Sequence, residues 1–411
     1  MEKLNSIFSR ENLEDLFDIL KIPFVEWNGS LTLGKTESGL LSNDELLKIS
    51  ETFCFIGSDG TTAKIAKNEP DSPTYISAGL IMWGVDNNET KTYEFNQRLV
   101  IDHTRILSHS TIRTVLEIRT ALCILISKKF KSRRCANCPF DLSGCQWQND
   151  SFNPWQYFTD KRIVAILDLP VIFTFIKTLP TLDSDNRDYL LTNLRKCFED
   201  IRKYELPVIF VSQKSALKNV IEDLASELDE AINSIDNRAK SLLELISESQ
   251  EAELTSISLP ILVEIRNRMK NKFFSDYDLL EKWLEGIATP SPVFIVKPSE
   301  YNNDWGALKF HYLTWGYQEF YNNEWIYFPS SWIRIGYSPA LTSMEAHKIF
   351  CIDMILGKGH SISLTMAHTA CNMYKRSYTR VLIDFYNESR PEKYKLGKNI
   401  KDMNKWRFMK K

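Results

Sequence analysis

The chain has 411 residues, a formal net charge of −2 and 43% hydrophobic residues. This length can bury one large hydrophobic core or two ordinary ones, and the composition excludes a disordered, collagen-like or wholly coiled-coil protein. The 51 basic residues nearly balance the 53 acidic residues. This balance excludes a protein that coats nucleic acid by bulk positive charge, while a local basic groove stays compatible with it.

No segment has the pattern of a leader peptide or a membrane span. Acidic residues are spread through segment 1–22, which lacks the apolar centre of a secretory signal. The most apolar stretch, 163–176, is interrupted by Asp168 and Pro170. Eight cysteines in a chain of this length do not indicate a disulfide framework. We therefore expect a soluble, cytoplasmic protein without a membrane partner.

Hydrophobic periodicity predicts a mixed α/β fold. Helical spacing is found at 2–20, 43–49, 105–130, 185–204, 341–356 and 361–386. Strand patterns are found at 52–60, 75–85, 91–100, 162–169, 206–212, 293–296, 307–315, 325–328 and 331–335. The first three strands are separated by turn signals, so we expect them to form an antiparallel meander.

We expect this pattern to build one mixed domain with insertions. The predicted parts are a helical segment 1–50, a first core part 51–214 with a Cys-rich loop 133–150, a helical insertion 215–290, a second core part 291–386 and a basic tail 387–411. Within the insertion, 221–253 carries ten acidic and two basic residues. This acidic stretch is either a solvated helix surface or a docking arm for a partner.

Three acidic residues stand at positions where a charged side chain is not expected unless it has a role. Asp59 ends a hydrophobic strand, Asp168 interrupts another near its C-terminal end, and Glu117 lies within an amphipathic helix. Buried charges are costly unless they are paired or bound to a metal. Acids from two strand ends and a neighbouring helix can converge and bind Mg²⁺ or Mn²⁺ through oxygen, and two such ions can clamp a phosphodiester. From spacing alone, each acid could instead be a cap, a turn residue or a surface ion-pair partner.

Nine short motifs follow one another along the chain. They lie at 55–61, 113–121, 163–170, 208–215, 276–284, 290–294, 309–313, 332–334 and 359–370. In this order they resemble the NurA family of DNA-end-processing nucleases, over about residues 50–380. The resemblance implies an RNase H-like mixed sheet flanked by helices, with a long helical insertion.

The resemblance also implies roles for individual residues. Asp59 and Asp168 would be the principal metal ligands and Glu117 a third, for two Mn²⁺ or Mg²⁺ ions in a two-metal mechanism. His368 would bind the second ion or transfer a proton, and Lys214 would contact the phosphate. The implied activity is hydrolysis of single-stranded DNA or DNA ends. The implied assembly is a homodimer with a HerA-type hexameric ATPase, in DNA end processing or anti-phage defence.

The chain departs from the family pattern at several positions. Leu169 stands where the family usually has Gly, and Gly336 where an acidic residue is usual. His360 replaces an aromatic residue, and a second Ala-His pair ending in His347 competes with the pair ending in His368. We prefer His368 because of its spacing from the preceding motif residues. The departures motivate a second hypothesis, a catalytically weak scaffold or DNA-clamp subunit of the same ATPase complex.

The segment before and within the Cys-rich loop offers two further sites. Three thiols have a metal-like spacing, which leaves open a structural Zn²⁺ site or a hairpin with free thiols, at Cys135, Cys138 and Cys145. Basic residues at the end of the preceding helix either complement the helix dipole or contact the DNA backbone, namely Lys128, Lys129, Arg133 and Arg134.

One phosphate-loop pattern is present at 29–36. The stretch that follows Thr36 contains Gly39 and does not read as the helix that phosphate binding needs, so we interpret the pattern as a chance match. ATP binding at this segment is the third hypothesis for the function.

Overall fold

A computed structural model describes the protein over residues 24–25, 43–64, 74–86, 89–101, 108–130, 158, 160–168, 182–213, 229, 263, 266–267, 275–281, 284, 288–295, 308–321, 324–356 and 360–388. The strands of this part are β1 (Phe24–Val25), β2 (Phe53–Lys64), β3 (Thr74–Asp86), β4 (Glu89–Ile101), β5 (Arg162–Asp168), β6 (Val208–Gln213), β7 (Val293–Ile295), β8 (Lys309–Tyr321) and β9 (Glu324–Tyr337). Its helices are α1 (Asn43–Thr52), α2 (His109–Phe130), α3 (Ser184–Lys203), α4 (Asp276–Leu280), α5 (Ser343–Leu356) and α6 (Ile362–Glu388).

All of these strands join one mixed sheet in the order β1-β7-β8-β9-β6-β5-β2-β3-β4. β2, β3 and β4 form the predicted antiparallel meander. β5 then runs parallel to β2, and β6 runs parallel to β5. A meander extended by parallel strands on the side of its first strand is the RNase H-like arrangement. The predicted α/β fold class, with helices flanking a mixed sheet, is confirmed.

Helices cover both faces of the sheet, and β2 touches both layers. Gly57 faces α6, because a side-chain carbon added there would lie 2.1 Å from the backbone oxygen of Ser363. The next residue, Ser58, donates a hydrogen bond from its hydroxyl to the Glu117 carbonyl in α2. Successive strand residues point to opposite faces. Therefore α6 and α2 lie on opposite sides of β2.

The main hydrophobic core lies between the sheet and helices α5 and α6. It contains Phe55, Trp83, Ile166, Val211 and Phe350 among its buried side chains. Phe55 and Trp83 stack with ring centroids 4.3 Å apart across the β2–β3 pair. The opposite face is covered by α2, and a buried ion pair joins α2 to α3.

That ion pair is formed by Arg119 and Asp200. Both residues are almost completely buried, and their contact fixes α3 against α2. A buried pair of this kind costs stability if one partner is removed, because the other charge is then left without compensation.

One predicted pair of strands is wrong. Segments 325–328 and 331–335 are parts of a single strand, β9. Its pairing with β8 shifts where Trp315 lies opposite Ser331 and Gly316 lies opposite Pro329, so Ser330 is the extra residue of a bulge. A bulge accommodates a proline that cannot donate a ladder hydrogen bond, and the strand therefore continues through it.

The other predicted elements agree with the described ones to within a few residues, except that β8 extends to Tyr321. β2 continues past Asp59 to Lys64, so Asp59 does not end its strand as predicted, and the short strand β1 was not predicted. The predicted helix 2–20 and the loop 133–150 lie outside the described residues, as does most of the insertion 215–290. Of the predicted tail 387–411, the first two residues belong to α6 and the rest lies outside the described residues. The domain boundaries therefore remain predictions. In the described part of the chain, no helix has the length and apolar character needed to cross a membrane.

Candidate active site

Asp59 of β2 and His368 of α6 meet at the surface of the sheet. The His368 Nδ1 atom lies 2.6 Å from the Asp59 Oδ2 atom. The other carboxylate oxygen of Asp59 accepts a hydrogen bond from the Gly60 N–H at 2.8 Å. His368 remains 69% exposed and Asp59 21% exposed. The pair is therefore accessible to a solute while both oxygens of Asp59 are held by hydrogen bonds.

Close packing of α6 on the sheet makes this contact possible. Asp59 pairs with Gly79 on β3. A side-chain carbon on Gly79 would lie 3.0 Å from the backbone nitrogen of Cys371, so a larger residue would push α6 away. Glycine at this position lets the helix approach its strand closely.

The thiol of Cys371 ties the backbone of the site together. The Gly79 N–H donates to Cys371 Sγ at 3.0 Å, and the thiol donates to the Asp59 carbonyl at 3.1 Å. Burial raises the pKa of this thiol to about 11, which keeps the proton that it donates. Cys371 thus joins β2, β3 and α6 directly behind the Asp59 carboxylate.

Asp168 lies beside Asp59 on the neighbouring parallel strand. The last registered pair of β2 and β5 is Ser58 with Leu167, and both acids come one residue later. The pKa of Asp168 is raised first by partial loss of hydration, although its side chain is exposed at the strand end, and then by the charge of Asp59. The charges of His368 and Arg113 oppose this rise. Asp59 and Asp168 therefore repel each other across adjacent strands.

Glu117 reaches the same strand from the opposite face of the sheet. Its side chain is 8% exposed and lies 3.2 Å from the Arg113 Nε atom, measured from Oε1. A side-chain carbon on Gly60 would lie 2.1 Å from that same Oε1, so the missing side chain of Gly60 makes room for the carboxylate. Glu117 and His368 thus approach β2 at adjacent residues from its two faces.

The protonation of Glu117 is strongly affected by this position. Burial raises the pKa of Glu117 to about 8, and the charges of Asp59 and Asp168 add to the rise. The Arg113 guanidinium and the Gly60 N–H act in the opposite direction without offsetting it. A carboxyl that holds a proton because it is buried, and that has two further carboxylates nearby, is a group that an added cation would ionise.

The oxygen and nitrogen atoms of this cluster are of the kinds that bind a hard divalent cation. Three carboxylates and an imidazole supply the oxygen and nitrogen atoms that Mg²⁺ or Mn²⁺ binds, and the mutual repulsion of the acids is what a cation relieves. In the part of the chain that the structure describes, no three His, Cys, Asp or Glu side chains already converge as a ready ligand set. In the observed arrangement, His368 is hydrogen-bonded to Asp59, and Arg113 is ion-paired with Glu117.

The competing histidine, His347, is placed elsewhere. It is fully buried in α5, and its Nδ1 atom lies 3.2 Å from the His311 Nε2 atom of β8. Its Nε2 atom lies 3.5 Å from the sulfur of Cys351. This histidine packs in the core, while His368 contacts the acidic cluster.

The remaining predicted residues divide into two groups. Lys128 donates a hydrogen bond from Nζ to the Phe158 carbonyl at 2.6 Å, so it fastens the end of α2 to the chain before β5. Lys129 belongs to α2, with its side chain outside the description. The others lie outside the described residues, and their roles remain predictions: Lys214, Arg133, Arg134, Cys135, Cys138 and Cys145.

Sequence reasoning did not assign roles to three residues of this cluster. Arg113 had a usable signal, its spacing of four residues from Glu117 on a helix. Gly60 follows Asp59 directly, but its contact with Glu117 depends on how α2 packs. Cys371 had no signal, because its partner Gly79 is 292 positions away.

Crystal structures of NurA are among the solved structures that are similar to this chain. A crystal structure of NurA aligns over 95% of this chain and 98% of its own length, with 10% identity and a TM-score of 0.32. A crystal structure of NurA with manganese aligns over 95% of this chain and 99% of its own length, with 10% identity and a TM-score of 0.30. No family model and no curated protein matches the chain. Similarity as loose as this carries no information on activity, which depends on the side chains of the cluster.

Proposed function

We propose that the chain is a NurA-like, divalent-cation-dependent DNA nuclease. One observation carries this proposal: three residues from other elements approach Asp59 on β2. They are Asp168 of β5, Glu117 of α2 and His368 of α6. These are the acids and the histidine for which the motif order implies metal-assisted phosphodiester hydrolysis. The exposure of the His368 and Asp59 side chains supports access of a DNA chain to this surface of the sheet.

Asp59 and Asp168 would hold the cation. They lie on adjacent parallel strands, and Asp59 raises the pKa of Asp168, so their charges are already coupled. Glu117 would be the third acidic ligand, released from its proton and from Arg113. A bound Mg²⁺ or Mn²⁺ supplies Lewis-acid stabilisation of charge on the phosphate, and a pair of ions would clamp the attacking and leaving oxygens.

His368 and Arg113 would act on the substrate side of the cluster. The His368 side chain is 69% exposed and can hold or transfer a proton beside the scissile phosphate. The Arg113 side chain is 39% exposed and carries positive charge next to Glu117. An exposed guanidinium beside a cation site can contact a phosphate oxygen through its planar fork of donors. Lys214 remains the second proposed phosphate contact.

The assembly belongs to the same proposal. The motif order supports a homodimer that works with a HerA-type hexameric ATPase, which would feed DNA to the nuclease. DNA end processing and defence against phage are the settings that this pairing suggests.

The test is degradation of end-labelled single- and double-stranded DNA by the purified chain, alone and with its ATPase partner. We expect cleavage with Mn²⁺ or Mg²⁺, and its loss when a chelator removes the cation. Absence of cleavage in every arm would contradict the nuclease proposal.

A second candidate function is a catalytically weak scaffold or DNA clamp in the same complex. It is favoured by the ion pair between Arg113 and Glu117, which must open before Glu117 can bind a cation. Gly336, where an acid is usual in the family, lies buried in β9 opposite Phe210 and Phe310 and supplies no ligand. Retained DNA binding or ATPase assembly without cleavage would favour this candidate.

A further inference from the structure

His368 has a second partner besides Asp59. The Asn372 Nδ2 atom lies 2.8 Å from the His368 Nε2 atom, one helical turn further along α6. Both ring nitrogens of His368 are therefore engaged, although the side chain is 69% exposed to solvent. An exposed imidazole would otherwise rotate freely and exchange its proton between the two nitrogens.

The orientation of the Asn372 amide follows from its other contact. The same Nδ2 atom lies 3.0 Å from the backbone carbonyl oxygen of His368. A carbonyl oxygen only accepts, so the amide atom facing it must be the nitrogen that donates. Because this nitrogen also faces the imidazole, His368 Nε2 must carry a lone pair and accept.

The tautomer of the ring then follows. A neutral imidazole with a lone pair on Nε2 carries its proton on Nδ1. Nδ1 faces the Asp59 Oδ2 atom at 2.6 Å, so the proton is donated to the carboxylate. The three side chains form one directed chain of hydrogen bonds, from Asn372 through His368 to Asp59.

We propose that Asn372 is a positioning residue that fixes the tautomer and the ring orientation of His368 against Asp59. The described hydrogen bonds of the Asn372 amide nitrogen both go to His368, so Asn372 acts through that residue. This inference rests on the proposed function for its consequence, since a correctly held Asp59 matters if Asp59 binds the cation. Partners that orient a ligand in this way typically change metal affinity or activity by about 10- to 100-fold when they are removed.

The direct test is the nitrogen NMR spectrum of the imidazoles in the full chain, free of metal and DNA. The chain has six histidines, and loss of one set of signals in His368→Gln assigns His368. At about pH 9, where an ordinary imidazole is neutral, we expect a proton on Nδ1 and none on Nε2. A proton on Nε2, or an average of both forms, in the wild-type chain would overturn the proposal without any variant.

Asn372→Leu tests the cause. Leucine keeps much of the shape but cannot donate to Nε2. The ring can then turn and present either nitrogen to the Asp59 carboxylate, so we expect it to sample both tautomers. The matched control is Thr369→Ala, an exposed neighbour whose hydroxyl donates a hydrogen bond to the Thr365 carbonyl. We expect Thr369→Ala to leave the His368 signals as in the wild type. Unchanged His368 signals in Asn372→Leu would refute the positioning role.

A DNA cleavage assay of the same variants connects Asn372 to the proposed function. Asn372→Leu should lower the Mn²⁺-dependent cleavage rate at least about 10-fold, while Thr369→Ala should not. Cleavage at the wild-type rate in Asn372→Leu would refute the consequence for activity. If wild-type cleavage is absent, the proposed function fails, and the metal-free NMR result still decides the role of Asn372.

Discussion

His368 Nδ1 lies 2.6 Å from Asp59 Oδ2, although the two residues are 309 positions apart in the chain. The contact exists because α6 packs on β2 and β3 at glycines, with Gly57 facing Ser363 and Gly79 facing Cys371. The glycines of the meander therefore determine how near the histidine comes to the acid. Substitutions of these glycines can therefore test the geometry of the site.

Gly57→Ala and Gly60→Ala should separate stability from activity. At Gly57 the new methyl group would meet the Ser363 backbone at 2.1 Å, which cannot yield without moving α6, so we expect a loss of about 3 kcal/mol in unfolding free energy. At Gly60 it would meet the side chains of Glu117 and Arg113, which can rotate away, so we expect a smaller loss of stability. Urea unfolding measures both changes.

The same two variants should differ in DNA cleavage. Gly60→Ala should remain folded but lose most of its cleavage, because Glu117 is displaced from β2. Wild-type cleavage in Gly60→Ala would show that this glycine does not control the position of Glu117. Equal stability of the two alanine variants would contradict the difference in packing that we expect between Gly57 and Gly60.

Glu117→Gln should stabilise the metal-free protein at alkaline pH. The pKa of Glu117 is about 8 in the folded chain against 4.5 as its ordinary value, so the folded form holds a proton that the unfolded form has released. The unfolding free energy therefore falls as pH rises between these two values, and the cost is complete above about 8. Glutamine removes this cost, which we expect to exceed about 2 kcal/mol at pH 9.

Urea unfolding at pH 5 and pH 9 measures the effect, with the exposed Glu51→Gln as the matched control. The gain in Glu117→Gln should be large at pH 9 and small at pH 5, while Glu51→Gln should show no such difference. A gain of equal size at both pH values would contradict the raised pKa of Glu117.

The buried His311–His347 pair should make the fold sensitive to acid. Burial lowers the pKa of His347 to about 4 and that of His311 well below 6.5. The unfolded chain takes up these protons below about 6.5 and the folded chain does not, so the unfolding free energy falls as pH falls through this window. We expect His347 alone to account for about 3 kcal/mol between pH 7 and pH 4.

The measurement is the slope of unfolding free energy against pH in His347→Leu and in the exposed control His360→Gln. His347→Leu should flatten the slope below pH 6.5, whatever its stability at pH 7. A slope like that of the wild type in His347→Leu would assign the acid sensitivity to other groups.

Much of the fold was predictable because hydrophobic periodicity is a local signal. The meander and the helix bearing Glu117 follow from patterns that extend over ten residues or more, and the strand ending in Asp168 follows from a short continuous apolar run. The continuous strand β9 was not predictable, because Pro329 is a breaker signal and only pairing with β8 shows that a bulge absorbs it. Long-range pairing decides such cases.

The sequence was enough to propose the residues of the candidate site, but it did not give their arrangement in space. Strand ends and an interrupted helix surface pointed to Asp59, Asp168 and Glu117, and the motif order pointed to His368. That Glu117 reaches β2 from the face opposite His368 depends on the packing of α2 and α6 on Gly60 and Gly57. A side chain missing from a glycine leaves no mark in a hydrophobic pattern, and its role is visible only once two elements are packed.

The most direct test of the central claim compares wild type, Asp59→Asn and Asp188→Asn in cleavage of end-labelled DNA with Mn²⁺, with and without the HerA-type ATPase that is proposed as its partner. Asp188 is an exposed acid of α3, away from β2, and controls for the loss of one charge. We expect Asp59→Asn to lower the rate at least about 100-fold and Asp188→Asn to cleave like the wild type. Equal cleavage by wild type and Asp59→Asn would contradict the assignment of this cluster as the catalytic centre.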